Sequence, residues 1–252
     1  MEACAPKLSQ VALELGGKSA LVVFDDTDLD QAVETTMKGF LTNGGQICTA
    51  HTRLVVQDGL KTPLLDKLKE ELEKLPFCND PITEKDRGDR AWEAGMTDVV
   101  QPVVCESQHQ KILGFLDEAK AAGVEVVTGG SVPDAETVGN SGGYFIQPTV
   151  LTDVGRDADV WQKEVFGPVL SVRSFSTEQE AVQEANSTAF GLASTVMSSD
   201  PAKAMRVANR IRAGTVYATS TGEGILAEHP AVSRGGFGCS GVGRELGIVG
   251  LH

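Results

Sequence analysis

Segments with the apolar pattern of buried strands alternate along this chain with segments that have the period of amphipathic helices. The runs SALVVF (19–24), RLVVQ (53–57) and GPVLSVRSF (167–175) are short and apolar enough to be buried strands. Apolar residues at helical spacing follow at 25–41 and again at 64–75. Parallel neighbouring strands need a crossover connection, usually a helix. The alternation therefore predicts an α/β fold with a largely parallel sheet covered by helices.

Further segments of the same two kinds extend the pattern towards the C-terminus. Helices are predicted at 109–123, 177–186 and 201–214, and strands at 124–130, 143–154, 193–199 and 214–218. A capping pair formed by Thr27 and Asp30 is expected to start the first helix. The charged stretch 77–104 is punctuated by Pro and Gly and has no sustained period, which predicts an irregular excursion.

Composition and charge argue against several classes of function. The 252 residues carry a formal net charge of −13, which disfavours binding to nucleic-acid phosphates. No apolar stretch approaches the roughly 20 residues that span a bilayer, and the first ten residues lack the basic and apolar regions of a signal peptide. Five widely spaced cysteines without a C-x-x-C pair argue against a disulfide framework, and with four unclustered histidines they predict no metal site. We therefore expect a reducing intracellular compartment, with the cytoplasm as the default and an organelle as the alternative.

Cys48 stands in the stretch TNGGQICTA (42–50), behind two glycines. The residues from Ile47 onwards are predicted to open a helix, whose N-terminal dipole would lower the pKa of the thiol. Taken alone, the same cysteine is more simply interpreted as a small buried core residue. His51 is three residues further on, and we expect it to be a surface or capping residue rather than the base that serves the thiol.

Glu14 is the stronger candidate for a general base. It stands between apolar residues just before two glycines in VALELGGKS (11–19), and partial burial there would raise the pKa of its carboxyl. A paired structural glutamate is the alternative. Glu164 and Phe166 precede a Gly-Pro turn, where an ion-paired glutamate at the end of a strand is the plain interpretation. The glycines of 234–247 do not follow a strand as a dinucleotide loop would, and they predict a flexible surface loop.

Five motifs, taken together and in this order, resemble the aldehyde dehydrogenase superfamily. They are LELGGKS (13–19), NGGQIC (43–48), EVFGPV (164–169), FGLAS (190–194) and SGVGRELG (240–247). The sequences VVFDDTDLDQAV and GYFIQPTVLTDV are similar to the betaine and aminoaldehyde dehydrogenase branch. The resemblance covers nearly the whole chain apart from roughly 77–104.

The resemblance implies a role for each of five residues. Cys48 resembles the nucleophile that attacks the aldehyde to give a thiohemiacetal, from which hydride passes to a nicotinamide and leaves a thioester. Glu14 resembles the general base that activates water to hydrolyse the thioester. Glu164 resembles the residue that holds the nicotinamide ribose, and Phe166 resembles its packing neighbour. Leu15 is similar to the residue whose backbone faces the nicotinamide.

The resemblance also implies what this chain leaves out. Family members are about twice as long, and their first half supplies a cofactor domain that binds NAD or NADP. We therefore expect 1–252 to be a single catalytic domain that lacks the N-terminal cofactor domain. Residues 1–12 would be the end of a helix of that domain, 77–104 an irregular insertion, and 219–252 a Gly-rich C-terminal segment. A protein partner is expected to cover the face that the missing domain would occupy.

Three functions follow from these residues. The first is oxidation of an aldehyde to its carboxylic acid with NAD or NADP, by a chain that is not self-sufficient. The second is a catalytically silent structural or interaction subunit of a larger assembly. The third, a hydrolase that uses Cys48 without a cofactor, is the weakest, because part of the family's oxyanion hole is outside this chain.

Overall fold

The structure is a computed structural model, and it describes residues 1–77, 97–138, 142–223, 225–226 and 230–251. The strands are β1 (Leu13–Glu14), β2 (Ala20–Val23), β3 (Arg53–Gln57), β4 (Glu125–Thr128), β5 (Thr149–Thr152), β6 (Val169–Phe175), β7 (Ala193–Met197), β8 (Thr215–Thr219) and β9 (Gly241–Val242). The α-helices are α1 (Leu29–Leu41), α2 (Asp58–Glu73), α3 (Glu106–Ala121), α4 (Asp159–Gln162), α5 (Glu178–Ala185) and α6 (Pro201–Ala208). Short 3₁₀ helices occupy Glu2–Lys7, Thr42–Gly45, Gly238–Ser240 and Val249–Leu251.

Seven strands form one sheet in the order β4-β5-β6-β3-β2-β7-β8. All neighbours in it are parallel except β4 and β5, which are antiparallel. The largely parallel sheet that the sequence predicts is therefore confirmed. A separate two-stranded antiparallel sheet joins β1 to β9, with Leu13 opposite Val242 and Glu14 opposite Gly241.

Helices cover both faces of the seven-stranded sheet, as the alternation of strands and helices predicts. Along β2, Leu21 and Val23 face a core built with α1 and α2. Ala20 and Val22 face the opposite core, to which α3, α4, α5 and α6 contribute. Successive strand residues point to opposite faces, so a sheet buried on both faces needs an unbroken apolar run, and ALVV supplies one.

Several predicted boundaries differ from the structure. The cap of α1 is Asp28, whose carboxylate accepts the Asp30 and Gln31 N–H groups, while the Thr27 hydroxyl donates to the Met197 carbonyl instead. Helix α2 begins at Asp58, six residues before the predicted start. Helix α6 ends earlier than predicted, and only residues 149–152 of the predicted strand 143–154 are a strand.

The two ends of the chain and the predicted excursion lie outside the large sheet. The 3₁₀ helix Glu2–Lys7 buries none of its residues. Of the stretch 77–104, residues 78–96 lie outside the described part of the chain, and the remainder contributes isolated bridges at Phe77, Val100 and Val103. The division of the chain into these parts stays a prediction.

Candidate active site

Four of the five motifs immediately precede a strand of the parallel sheet. Residues 13–19 lead into β2, 43–48 lie shortly before β3, 164–168 lead into β6, and 190–192 lead into β7. These four strands are consecutive in the sheet, in the order β6-β3-β2-β7. The strands are parallel, so their amino ends share one edge. The topology therefore brings the motifs together at that edge.

Glycines allow the motifs to approach at backbone distance. A Cβ built on Gly17 would lie 2.1 Å from the Cys48 carbonyl oxygen, and one built on Gly45 would lie 2.3 Å from the Gly167 carbonyl oxygen. No other residue type fits such gaps without movement of the backbone. The LELGGKS, NGGQIC and EVFGPV motifs are thus packed directly on each other.

The fifth motif is held in place by hydrogen bonds. The Ser240 carbonyl accepts the Leu15 N–H at 3.0 Å, and the Ser240 hydroxyl accepts the Gly191 N–H at 3.0 Å. Phe237 N–H donates to the Gly191 carbonyl at 2.9 Å. The glycine-rich segment is therefore anchored to the LELGGKS and FGLAS motifs, and the prediction of a flexible surface loop is wrong for these residues.

Cys48 lies in a turn that leads into β3, so the prediction that it opens a helix is wrong. After the left-handed residues Asn43, Gly44 and Gly45, the Ala50 N–H donates to the Ile47 carbonyl at 3.0 Å. The chain then enters β3 at residue 53, which leaves no length for a helix. Cys48 is a free, half-buried cysteine, and the helix dipole that the sequence suggested for its thiol is missing.

His51 is a core residue, so its predicted surface or capping position is wrong. The residue is 1% exposed, and its Nε2 shares a hydrogen bond of 2.9 Å with the Thr195 hydroxyl on β7. Burial lowers the pKa of His51 to about 4. The imidazole is therefore neutral at pH 7. Its hydrogen bond joins the segment before β3 to β7.

The buried imidazole predicts a loss of stability in acid. Between the ordinary His pKa of 6.5 and the folded-state value of about 4, the unfolded chain binds a proton that the folded chain does not. The free energy of unfolding therefore falls as pH decreases through this window, by about 3 kcal/mol from His51 alone. The free energy of unfolding is measured in urea at pH 7 and pH 4. Between these two pH values it is expected to fall by about 3 kcal/mol less in His51→Gln than in the parent chain. Equal losses in the two proteins would contradict the prediction.

Arg234 joins the two candidate catalytic residues. Its Nη2 donates to Cys48 Sγ at 3.5 Å, and its Nε lies 3.6 Å from Glu14 Oε2 in an ion pair. The side chains of Glu14 and Arg234 are 26% and 28% exposed. Glu14 is an exposed residue of β1 whose side chain is only partly accessible, and its charge partner is this guanidinium.

No pattern in the sequence singled out Arg234. It opens the glycine-rich segment 234–247, which was interpreted only through its glycines. The isolated bridge between Arg234 and Glu245, with N–H···O distances of 2.7 and 2.8 Å, fixes the backbone from which its side chain reaches the nucleophile. The sequence did offer one signal for Arg234. A cationic residue stands at the start of a glycine-rich segment, and glycines allow close approach of the backbone.

The three residues that the resemblance assigns to a cofactor lie on the same edge of the sheet. Glu164 Oε1 accepts the Gly17 N–H at 2.9 Å, and a Cβ on Gly16 would lie 2.4 Å from Glu164 Oε2. Phe166 has a left-handed backbone with φ 59°. Leu15 is 47% exposed. The Glu164 carboxylate is therefore positioned by Gly16 and Gly17, and Gly17 also lies against the Cys48 carbonyl.

The turn at Phe166 is stabilised by hydrogen bonds from helix α3. The Gln108 side-chain amide of α3 donates to the carbonyls of Val165 and Phe166, at 3.0 and 2.8 Å. A left-handed conformation costs a non-glycine residue roughly 1–2 kcal/mol, so it persists where neighbouring contacts hold it. These two hydrogen bonds provide such contacts.

A cavity of about 140 Å³ lies beside the cysteine turn. Thr49 and Arg234 form part of its wall, and most of the remainder is apolar, including Leu192, Tyr217 and Val232. Thr49 directly follows Cys48, so the cavity adjoins the nucleophile candidate. Cys48 is not itself one of the lining residues, but Arg234, which lines the cavity, contacts Cys48 Sγ.

Comparisons with known proteins identify the family. A family model described as "Aldehyde dehydrogenase family" matches residues 1–252. The chain belongs to the aldehyde dehydrogenase family. The aminoaldehyde dehydrogenase 2 of Pisum sativum, named as peroxisomal, is 40% identical over 254 residues, and the betaine aldehyde dehydrogenase of Beta vulgaris, named as chloroplastic, is 38% identical over 252 residues. The resemblance to the betaine and aminoaldehyde branch that the sequence suggested is confirmed.

The aldehyde dehydrogenase fold is also found among solved structures. The betaine aldehyde dehydrogenase of Staphylococcus aureus in complex with NAD⁺ superposes with a TM-score of 0.85 at 36% sequence identity, and covers the whole of this chain. The chain spans about half the length of its relatives, 46% of the pea, beet and Staphylococcus proteins alike. It thus matches a part of an aldehyde dehydrogenase that includes all five motifs.

Two features are absent from the described residues of this aldehyde dehydrogenase chain. None of its described helices is both long and apolar enough to cross a membrane. Within the same ranges, no three His, Cys, Asp or Glu side chains come together as a metal ion would need. Cys4, Cys48, Cys105 and Cys239 are free, and Cys78 lies outside the described residues.

Proposed function

We propose that this chain is the catalytic portion of an NAD- or NADP-dependent aldehyde dehydrogenase, which oxidises an aldehyde to its carboxylic acid. Cys48 is the nucleophile and Glu14 is the general base. The observation that carries the proposal is the meeting of a free thiol and a partly buried carboxylate on one guanidinium, at the edge where the family motifs converge. A silent structural subunit would have no need of this arrangement.

The reaction begins with attack of the Cys48 thiolate on the aldehyde carbon. A C–S bond forms, and the carbonyl π electrons move to the oxygen, which becomes an alkoxide. The Arg234 guanidinium, 3.5 Å from the sulfur, stabilises negative charge on the thiolate before attack. When bound, a nicotinamide dinucleotide supplies the acceptor for the hydride of this adduct, so that an acyl thioester remains on Cys48.

In the second step Glu14 activates a water molecule. Its carboxylate removes a proton as the water oxygen attacks the thioester carbon, and the C–S bond breaks to release the carboxylic acid and regenerate Cys48. Arg234 contacts both Glu14 and Cys48 Sγ, so the ion pair keeps the Glu14 carboxylate near the cysteine. Both steps use side chains that this chain supplies itself.

The residues present fit the nicotinamide end of a dinucleotide. The Glu164 carboxylate is fixed by the Gly17 N–H and offers acceptor lone pairs that suit ribose hydroxyls. Leu15, which is exposed, and Phe166, two residues after Glu164, are the apolar residues of the same motifs. We infer that Glu164, Phe166 and Leu15 hold that end, and that protein outside this chain holds the remainder of the cofactor.

An apolar surface near the site supports a protein partner. Exposed large apolar side chains occur directly after β1 and throughout the C-terminal segment; they include Leu15, Val232, Phe237, Val242, Ile248 and Val249. Large exposed apolar patches are uncommon on proteins that act alone. We propose that a protein partner covers this surface. A reducing compartment inside the cell is proposed because the four described cysteines are free.

The nucleophile and base can be tested without a cofactor, since acylation and deacylation need only the chain's own residues. With p-nitrophenyl acetate, we expect a burst of p-nitrophenol and an acetyl group on Cys48 by peptide mass spectrometry. Cys48→Ser is expected to lose the burst. Glu14→Gln is expected to acylate but to deacylate at least about 100-fold more slowly, because it lacks the base.

Turnover tests the complete function. Reduced cofactor is followed by absorbance with NAD or NADP and a panel of aldehydes, first with the chain alone and then with a cofactor-domain fragment of a relative added. We expect turnover that Cys48→Ala abolishes. Acetylation elsewhere than Cys48, or turnover that survives Cys48→Ala, would overturn the proposal.

A further inference from the structure

The positive charge of Arg234 lies next to Cys48 Sγ, the atom to which a substrate attaches. Its guanidinium lies 3.5 Å from Cys48 Sγ and 3.6 Å from Glu14 Oε2. An aldehyde joined to Cys48 has its carbonyl carbon one covalent bond from that sulfur. Any charged group near the carbonyl therefore lies in the field of a partly buried cation, where screening by water is reduced.

Arg234 also forms part of the wall of the cavity beside Cys48. Among the described residues that line this cavity, Arg234 alone carries a charge, and the others are apolar or neutral polar side chains and glycine. The cavity thus combines apolar space of about 140 Å³ with one cation. A short aldehyde with a carboxylate at its far end matches both properties.

The chemistry of attack changes the partners of Arg234. Before attack, the guanidinium contacts the Cys48 sulfur, which reacts as the thiolate, and the Glu14 carboxylate. When the C–S bond forms, the negative charge passes from the sulfur to the substrate oxygen, and that charge is lost when the thioester forms. A carboxylate on the substrate replaces it, whereas an ammonium group adds a second cation.

We propose that Arg234 determines specificity, favouring aldehydes that carry a carboxylate over aldehydes that carry an ammonium group. This inference rests on the proposed role of Cys48 and names the substrate class of that site. The pea relative is named for aminoaldehydes, whose amino group is protonated at neutral pH. The geometry around Arg234 therefore separates the substrate of this chain from the one in that name.

Thiol reagents of different charge measure the effect without any cofactor. Methanethiosulfonates with sulfonatoethyl, neutral and trimethylammonioethyl groups are compared under one set of conditions. In each case the thiolate attacks the sulfenyl sulfur, forms a mixed disulfide and releases methanesulfinate. The rate at Cys48 is read by quenched-flow peptide mass spectrometry, with exposed Cys105 in the same sample as the internal reference.

We expect the anionic reagent to modify Cys48 faster, relative to the cationic reagent, than it modifies Cys105. Arg234→Gln is expected to lower the anionic-to-cationic rate ratio at Cys48 by about 10-fold, and Arg234→Lys to keep most of it. Glu14→Gln removes the opposing charge and is expected to raise the ratio. The ratio at Cys105 should stay constant in all variants.

Aldehydes provide a second arm. Protection of Cys48 from iodoacetamide is measured with 4-oxobutanoate and with butanal, which have the same number of carbons. In the parent chain, half-protection is expected at about 10-fold lower concentration of 4-oxobutanoate, and the difference should vanish in Arg234→Gln. Protection also reports whether Cys48 reacts with aldehydes at all.

The outcomes separate the two proposals. An anionic-to-cationic ratio that is equal in the parent chain and Arg234→Gln overturns the specificity proposal, and so does a uniform loss of rate with all three reagents. Arg234→Lys, which keeps the charge, guards against a folding defect in Arg234→Gln. The catalytic proposal fails separately if p-nitrophenyl acetate does not acetylate Cys48 while the anionic-to-cationic rate ratio at Cys48 still depends on Arg234.

Discussion

Replacing Lys18 by methionine is expected to raise the free energy of unfolding by about 4 kcal/mol at pH 7. Lys18 is 1% exposed, and its Nζ has no hydrogen-bond partner among the described residues. Burial and then the Arg53 guanidinium lower the pKa of Lys18 to about 7, although the Glu164 carboxylate opposes the shift. Methionine has a similar length and needs no partner.

The same lowered pKa makes the stability depend on pH. Between pH 7 and the ordinary Lys value of 10.5, the unfolded chain holds a proton that the folded chain has lost. The free energy of unfolding of the parent chain therefore rises with pH across this window, and the part of the rise that Lys18 causes should be absent in Lys18→Met. Urea unfolding at pH 7 and pH 10 measures both effects.

Exposed Lys111 on α3 is the matched control, and Lys111→Met is expected to change the stability by less than about 0.5 kcal/mol. A Lys18→Met protein that is less stable than the parent at pH 7 would show that the amine contributes a favourable interaction. The backbone contact in which the Lys18 carbonyl accepts Arg53 Nε at 2.8 Å is kept in the variant.

Gly45→Ala is expected to lower the free energy of unfolding by at least about 3 kcal/mol. Gly45 has φ 73°, and an added Cβ would lie 2.3 Å from the Gly167 carbonyl oxygen and 2.9 Å from the Phe40 carbonyl oxygen. These are backbone atoms, so no side-chain rotation relieves the overlap. Three residues later comes Cys48, and the displaced turn should also slow its acetylation.

Two other glycines separate the contributions to this loss. Gly123 has φ 76° but nothing within 4 Å of an added Cβ, so Gly123→Ala reports backbone strain alone, about 1 kcal/mol. Gly114 lies in α3 with open space around it, and Gly114→Ala is expected to stabilise the protein by about 0.5–1 kcal/mol. If Gly45→Ala costs no more than Gly123→Ala, the packing of the NGGQIC and EVFGPV motifs is looser than the structure has it.

The predicted elements were most accurate where an apolar period was long and unbroken. RLVVQ is the strand Arg53–Gln57, and the helix predicted at 177–186 is α5 within one or two residues. Errors occurred where a local signal competed with a distant one. The Thr27 hydroxyl had an available helix N-terminus nearby, yet it donates to the Met197 carbonyl 170 residues away.

The site shows the same division. The family resemblance drew attention to Cys48, Glu14 and Glu164 before any geometry was known, because residues with fixed chemistry recur in short motifs. His51 was misplaced, since nothing near it in the sequence announces the Thr195 hydroxyl that receives it in the core. Arg234 was missed because its partners are 186 and 220 positions away along the chain.

The sequence by itself determined the α/β class, the order of the elements and the family, because periodicity and motifs are local properties of the chain. Only the tertiary structure decided that the motifs meet at the amino ends of four neighbouring strands. It also decided that Cys48 sits in a turn rather than at a helix, and that a cation lies between it and Glu14. Close backbone approach and charge pairing depend on distance in space, which separation along the chain does not specify.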